Sequence, residues 1–190
     1  MLKPLGSFLA QALPHYVQFV LFRQKELHLD LYSYLNVRRV LYFLKNSKFM
    51  QFKTLIDITA IDFLNNYNRF ELVYNILSIR YNLRVFIKIH LNDLFITKTI
   101  SRLFLSSNWS EREVWDMFGI FFKDHKDLRR ILSNYGFNGY PLRKDFSLIG
   151  YLGVRYDDWG KLILGEPVEM SQSSLEFIHQ KTPWRSNVFV

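Results

Sequence analysis

The chain contains no cysteine. That excludes a disulfide framework, thiolate-bound zinc, a cysteine nucleophile and cysteine-ligated iron–sulfur clusters on this chain. It also lacks any apolar run near the roughly 20 residues needed to span a bilayer. The opening segment MLKPLGSFLAQALPHYVQFVLF has no cleavable secretory pattern, because Pro14 and His15 interrupt its apolar part. A cytoplasmic protein, or one made inside an organelle, is expected. No Walker loop, dinucleotide fingerprint, nucleophile elbow or RNA-recognition signature occurs. Gly136-Phe137-Asn138-Gly139 matches a nucleic-acid-binding GXXG loop in spacing only and is read as a turn.

What is present suffices for a folded domain. Of 190 residues, 49% are hydrophobic and 17% aromatic, enough to build a core. The net charge is +8, concentrated at the N-terminal end, where residues 1–50 carry seven basic and two acidic side chains. A basic chain can meet nucleic acid, anionic lipid or an acidic protein partner.

Local patterns place the elements. Residues 5–13 read as a short helix stopped by Pro14, and 16–24 as a strand. Asp30 is read as the cap of a helix running to about Lys45, and Phe52–Thr59 as a strand. Phe70, Leu72, Tyr74 and Ile76 alternate with other side chains, as do Leu83, Val85, Ile87, Ile89 and Leu91 after a turn near Asn82. That period of two predicts a hairpin with one buried face and Arg84, Lys88 and His90 on the other. Residues 94–105 read as a third helical segment. Residues 133–190 hold six of the eight glycines and three of the five prolines. Such a stretch cannot form long regular elements, although one hairpin is expected, with Tyr151–Tyr156 and Lys161–Leu164 around Asp157-Asp158-Trp159-Gly160. Its aromatics, among them Phe137, Tyr140, Phe146, Tyr151, Trp159, Phe177 and Trp184, imply packing on a surface, its own or a partner's. The expected organisation is an α+β core over residues 1–132 and an extended tail over 133–190.

The charged stretch EREVWDMFGI, Glu111–Ile120, could suggest acid–base chemistry. Each charge also has a structural explanation. Ser110 and Glu113 form a capping-box pattern. Glu111 and Glu113 would sit in the first turn, where the helix dipole favours carboxylates. Arg112 and Asp116, four apart, would pair, and Gly119 would end the helix. Asp57 and Asp62 stand at odd spacing, on opposite faces of a strand, with a turn near Asp62. His125, between Asp124 and Asp127, has no second histidine at metal-ligand spacing. The two aspartates are read as the start of a one-turn helix, Leu128–Leu132, with Arg129 and Arg130 facing outward. No catalytic, cofactor-binding or metal-binding residue is assigned.

The run EREVWDMFGIFFKDHKDLRRILSNYGFNGYPLRKDFSLIGY, Glu111–Tyr151, closely resembles the signature of one peripheral-arm subunit of respiratory complex I, the proton-translocating NADH:ubiquinone oxidoreductase. That subunit is called NuoC in bacteria and subunit nine in mitochondrial genomes. LIDITAID (Leu55–Asp62) and RFELVYNILSIRYNLRV (Arg69–Val85) resemble its strand region. VRYDD (Val154–Asp158), EPVEM (Glu166–Met170) and Pro183-Trp184 resemble the mitochondrial tail. The likeness covers roughly residues 28–184. Lys126, Tyr140 and Ser147 depart from the family pattern, which has proline, histidine and proline there.

The resemblance implies a two-layer α+β fold with a mixed, roughly four-stranded sheet. It implies a non-catalytic structural subunit on the matrix side of the mitochondrial inner membrane, peripheral and attached only through the complex. FMN, iron–sulfur clusters and quinone would lie on neighbouring subunits, none on this chain. The tail would wrap the quinone-site subunit. Arg143, Lys144 and Asp145 would fix its register there, and Phe146 would be its apolar anchor. Glu111, Arg112, Glu113, Asp116, Arg129 and Arg130 would build the supporting motif. Nucleic acid is not an expected partner. A basic organellar RNA-binding or ribosomal protein is the alternative suggested by charge.

Overall fold

In the computed structural model, which describes residues 2–23 and 26–168, the alternating segments around Asn82 become the centre of a five-stranded sheet. Strands β4 (Phe70–Ser78) and β5 (Leu83–Leu91) pair antiparallel from Phe70↔Leu91 to Ser78↔Leu83. Asn82 holds the turn at φ 49°, a left-handed conformation that asparagine tolerates better than most residues. With β1 (Val17–Arg23), β2 (Glu26–Leu31) and β3 (Thr54–Asp62), the strand order is β1-β2-β5-β4-β3. Only β2 and β5 are parallel within it, so the sheet is mixed.

The sheet has five strands where about four were expected, and β2 corrects the reading of Asp30 as a helix cap. Leu27, Leu29 and Leu31 are buried and alternate with Glu26, His28 and Asp30, the period of a strand. Helix α2 (Val37–Asn46) starts later, after a 3-10 turn in which the Ser33 hydroxyl accepts from the Leu35 amide at 3.3 Å. The second correction concerns residues 94–105. Instead of a helix they form a short strand, β6 (Thr97–Lys98), parallel to β7 (Phe122–Lys123). The β-branched run Ile96-Thr97 and Thr99-Ile100 favours extended backbone. These strands bracket helix α3 (Ser107–Phe118).

One face of the sheet makes the core. Leu29, Leu72, Ile76 and Ile87 share a buried cluster with Leu9 of α1 (Leu2–Ala12), Val40, Leu41 and Leu44 of α2 and Val114 of α3. The architecture is thus α+β. One compact unit runs to Phe146 and a second begins at Ser147. The division lies beyond residue 132, where glycine-rich sequence begins, because residues 124–146 fold onto α3. The described part of the second unit contains the expected hairpin, β8 (Leu152–Asp157) and β9 (Leu162–Pro167). Its turn is an Asx turn: the Asp157 carboxylate accepts from the Trp159 and Gly160 amides at 3.4 and 3.2 Å. Glu169–Met170, Phe177 and Pro183–Trp184 lie outside the described residues.

Candidate interface centre around helix α3

Helix α3 carries the charged motif, but it is not capped as its sequence suggests. It starts at Ser107, so Ser110 lies inside it and Glu111 in its second turn. The capping box therefore does not form. Its end is as expected: Gly119 is left-handed at φ 79°, and its amide donates to the Trp115 carbonyl. A Cβ on Gly119 would meet the Tyr140 ring at 2.6 Å, so glycine is required there for space as well as for backbone conformation.

Arg112 and Asp116 do not pair. Asp116 is fully buried and takes partners from the segment that follows. Its carboxylate accepts from the amides of Ile131, Leu132 and Ser133 at 3.1, 2.7 and 2.9 Å, from the Ser133 hydroxyl, and from Arg130 Nη1 at 2.8 Å. Burial alone would raise its pKa, but these donors outweigh it and hold the carboxyl well below the usual range. This capture of three successive amides explains why the expected helix over 128–132 is absent. It also turns Arg130 inward. Arg130 Nη2 donates to the Gly139 carbonyl at 2.9 Å, and the guanidinium lies over the Phe137 and Tyr140 rings. Arg129 is exposed and pairs with Asp127, while its carbonyl accepts from Arg112 Nε at 3.1 Å. Arg112 lies over the Trp109 ring. Glu113 is exposed.

Arg143 and Asp145 of PLRKDF find partners within their own unit, as does the Lys144 backbone amide. Arg143 Nε donates to the Phe118 carbonyl at 2.7 Å, and its guanidinium covers Phe70 and Tyr140. The Lys144 amide donates to Asp62 at 2.8 Å. Asp145 accepts from Arg69, which also grips Asp62 through two nitrogens at 2.8 and 2.9 Å. The Arg69 hydrogen bonds lower the Asp62 pKa against the opposing effect of burial, and the Lys144 amide adds to them. The Phe146 ring packs beside Phe137 and over Gly139. Arg69 is not singled out by the sequence: Asp62 is seven residues away across the β3–β4 connection, and Asp145 is 76 residues away.

Glu111 is fully buried on the other side of α3. It accepts from Thr99 Oγ1 at 2.5 Å and from the Ile100 amide at 2.8 Å, and His125 Nε2 stands 3.7 Å away. Burial pushes its carboxyl up to about 7, partly opposed by those donors and Ser107. Burial likewise lowers the His125 pKa. Chemically the arrangement anchors: the buried carboxylates of the motif bind amides, hydroxyls and guanidiniums that hold residues 97–100 and 124–146 against one helix. The outer surface so fixed carries exposed apolar side chains, including Trp109, Leu132, Tyr135 and Leu142.

Comparison with known proteins matches residues 34–152 to the family described as respiratory-chain NADH dehydrogenase, 30 kDa subunit. The chain is 43% identical over 183 residues to NADH-ubiquinone oxidoreductase subunit 9 of Reclinomonas americana, covering 96% of this chain and 89% of that protein. It is 43% identical over 183 residues to the mitochondrial NADH dehydrogenase [ubiquinone] iron-sulfur protein 3 of Candida albicans, covering 96% of this chain and 65% of that protein. Among solved structures, a trypsin-resistant fragment of Nqo5 superposes with TM-score 0.57 at 27% identity, covering 67% of this chain and 100% of the fragment.

Proposed function

The chain belongs to the family of the 30 kDa subunit of respiratory-chain NADH dehydrogenase, and on that premise we propose that it is a matrix-side scaffold which wraps the quinone-site subunit with its C-terminal region. It is a structural subunit of the respiratory complex, its partners are other subunits of that complex, and NADH:ubiquinone reduction is the activity of the whole. The Candida albicans relative is named as mitochondrial. Among the described residues no helix is long and apolar enough to cross a membrane, which agrees with a peripheral position.

One observation supports the wrapping. In the β8–β9 hairpin and the residues before it, Leu148, Tyr151, Leu152, Val154, Tyr156, Trp159 and Ile163 are each more than half exposed. An isolated two-stranded hairpin is marginal in water, and apolar surface on this scale marks a binding face. A covering partner satisfies both conditions. Residues up to Phe146 are already fixed by α3 and Arg69, so the wrapping segment begins at Ser147 rather than at residue 133.

The Candida relative's name includes the words iron-sulfur protein. The donors here do not fit a thiolate-held cluster: the chain has no cysteine. Among the described residues no group of three or more His, Cys, Asp or Glu could hold a metal ion. An RNA-binding role finds no support in the family. The basic face that suggested it is also partly neutralised, since Lys88 pairs with Glu71 at 2.7 Å.

The test is limited proteolysis of the free chain and of the assembled complex, with native-gel separation and an NADH-dehydrogenase stain. The chain should migrate with the active complex. Free, it should be cut first beyond Phe146, and those sites should be protected in the complex. Absence of the chain from the stained band would refute the scaffold role. Equal protection of the tail in the free chain would refute the wrapping.

A further inference from the structure

Outside the α3 centre, the beginning of α2 and the segment around β6 enclose a concavity of about 700 Å³. Its lining includes Arg38, Arg39, Lys98 and Arg102, together with Leu35 and Tyr42, and no carboxylate. None of these four cations has an ion-pair partner among the described residues. The contrast with Arg69, Arg129, Arg130 and Arg143 is sharp, since each of those meets a carboxylate. Two of the free cations also stand at the start of α2, whose first turn has no acidic residue. Cations there oppose the helix dipole, and four like charges around one hollow repel each other. An anionic occupant reverses both effects.

Several features indicate the kind of anion. Three of the four cations are arginines, whose planar fork binds carboxylates and phosphates alike in a bidentate manner, so the rest of the lining decides between them. The lining is made by side chains of a helix start and a turn. It contains no glycine and hence no glycine-rich loop of the sort that cradles nucleotide phosphates. Leu35 and Tyr42 are 53% and 59% exposed and supply an apolar wall beside the charge. Carboxylates interspersed with an apolar side chain match that mixture better than a bare phosphate does.

We infer that this basic concavity seats an acidic segment of a neighbouring subunit, one with several Asp or Glu residues flanking an apolar side chain. This rests on the chain's role as an assembly subunit and identifies a second contact, separate from the C-terminal wrapping. It also gives a role to Arg38 and Arg39, two of the seven basic residues among the first fifty.

Lys98 provides the test, because its amine can be acetylated and can be coupled to a carboxylate by carbodiimide. In the intact respiratory complex, Lys98 should lose the acetylation it shows in the released chain. Carbodiimide should join it to an Asp or Glu of another subunit, detectable by peptide mass spectrometry. The R39E/R102E double variant, incorporated into the complex, should lose that cross-link. If the chain is in the complex and Lys98 reacts as it does in the released chain, the inference fails while the scaffold role stands. If the chain is absent from the complex, the scaffold role fails and takes the inference with it. Protection of Lys98 without a carboxylate cross-link also overturns the inference. Reactivity restored by delipidation would then assign the site to an anionic lipid, and reactivity restored by removing nucleotides would assign it to a free phosphate ester.

Discussion

Replacement of Asp116 by alanine is expected to lower the unfolding free energy by about 3–5 kcal/mol, the range for removing one partner of a buried ion pair. The mutation leaves three buried amides without their acceptor and takes the carboxylate from Arg130, which keeps only the Gly139 and residue-116 carbonyls. Charged hydrogen bonds of this kind contribute about 1.5–3 kcal/mol each and are not additive. Urea melts give the total. Hydrogen exchange locates it: amides 131–133 should exchange far faster in D116A than in the wild type, with those of β4 and β5 changing only as global stability does. Asp116→Asn retains an acceptor but not the charge and should fall between the two. A D116A protein as stable as the wild type would mean that this segment is held by something else. The dependence on pH has a definite sign. The folded-state value is depressed, so Asp116's contribution is complete above the ordinary aspartate value near 3.8 and is lost only as pH falls toward the lower folded value.

Glu111 should behave in the opposite way, and its effect falls in an accessible window. Its carboxyl rises from 4.5 to about 7 on folding. Below about pH 4.5 it is protonated in both states and costs nothing. As pH rises from about 4.5 to about 7 the unfolded chain ionises first, so stability falls by about 1.4 kcal/mol for each pH unit between the two values, about 3 kcal/mol altogether. Above about 7 the loss is constant. The Glu111→Gln variant lacks this slope, and its stability measured by urea at pH 5 and pH 8 should differ less than that of the wild type. His125 contributes a slope of opposite sign. Its lowered value means that stability rises with pH between that value and 6.5. The groups acting on it include Arg112 and Asp127, which E111Q leaves in place, while the Glu111 carboxylate 3.7 Å from Nε2 loses its charge in that variant. Parallel stability curves for wild type and E111Q would show that Glu111 does not carry a raised pKa.

The parts legible in the sequence were those set by neighbours along the chain. The β4–β5 hairpin followed from strict alternation on both sides of Asn82. The β8–β9 hairpin followed from Asp157-Asp158-Trp159-Gly160, and the end of α3 from Gly119. Strand β2 carries the same alternation in Leu27, Leu29 and Leu31 but was obscured because Asp30 also has the chemistry of a helix cap. The strand pairs both with its neighbour β1 and with β5, which lies far away in sequence. The α3 centre was the least legible part. A spacing of four suggests that Arg112 pairs with Asp116. Asp116 instead bonds residues 15–17 positions later, and Glu111 bonds residues 11 and 12 positions earlier. Local rules assume exposed side chains. Burial of these carboxylates removes water as a competing partner and makes distant amides decisive. A reading from local spacing therefore paired Arg112 with Asp116, where burial gives Asp116 and Glu111 partners from other segments.

The bonds that hold residues 124–146 also fix an order of events. The Lys144 amide and Asp62 lie 82 positions apart, and Asp145 and Arg69 lie 76 apart. Closing such long loops is entropically expensive, and contacts of this range form late. On a ribosome the sheet strand bearing Asp62, then Arg69, then α3 with Asp116 all emerge before the segment that will cover them. During that interval Asp116 is a hydrated carboxylate on an unfinished surface, and Asp62 has only Arg69 as a partner. An apolar anchor at either position would leave the nascent chain with an adhesive patch at the stage when it is most open to aggregation. Charged anchors keep the half-built domain soluble and become adhesive only toward their own amides and guanidiniums, once those have been synthesised.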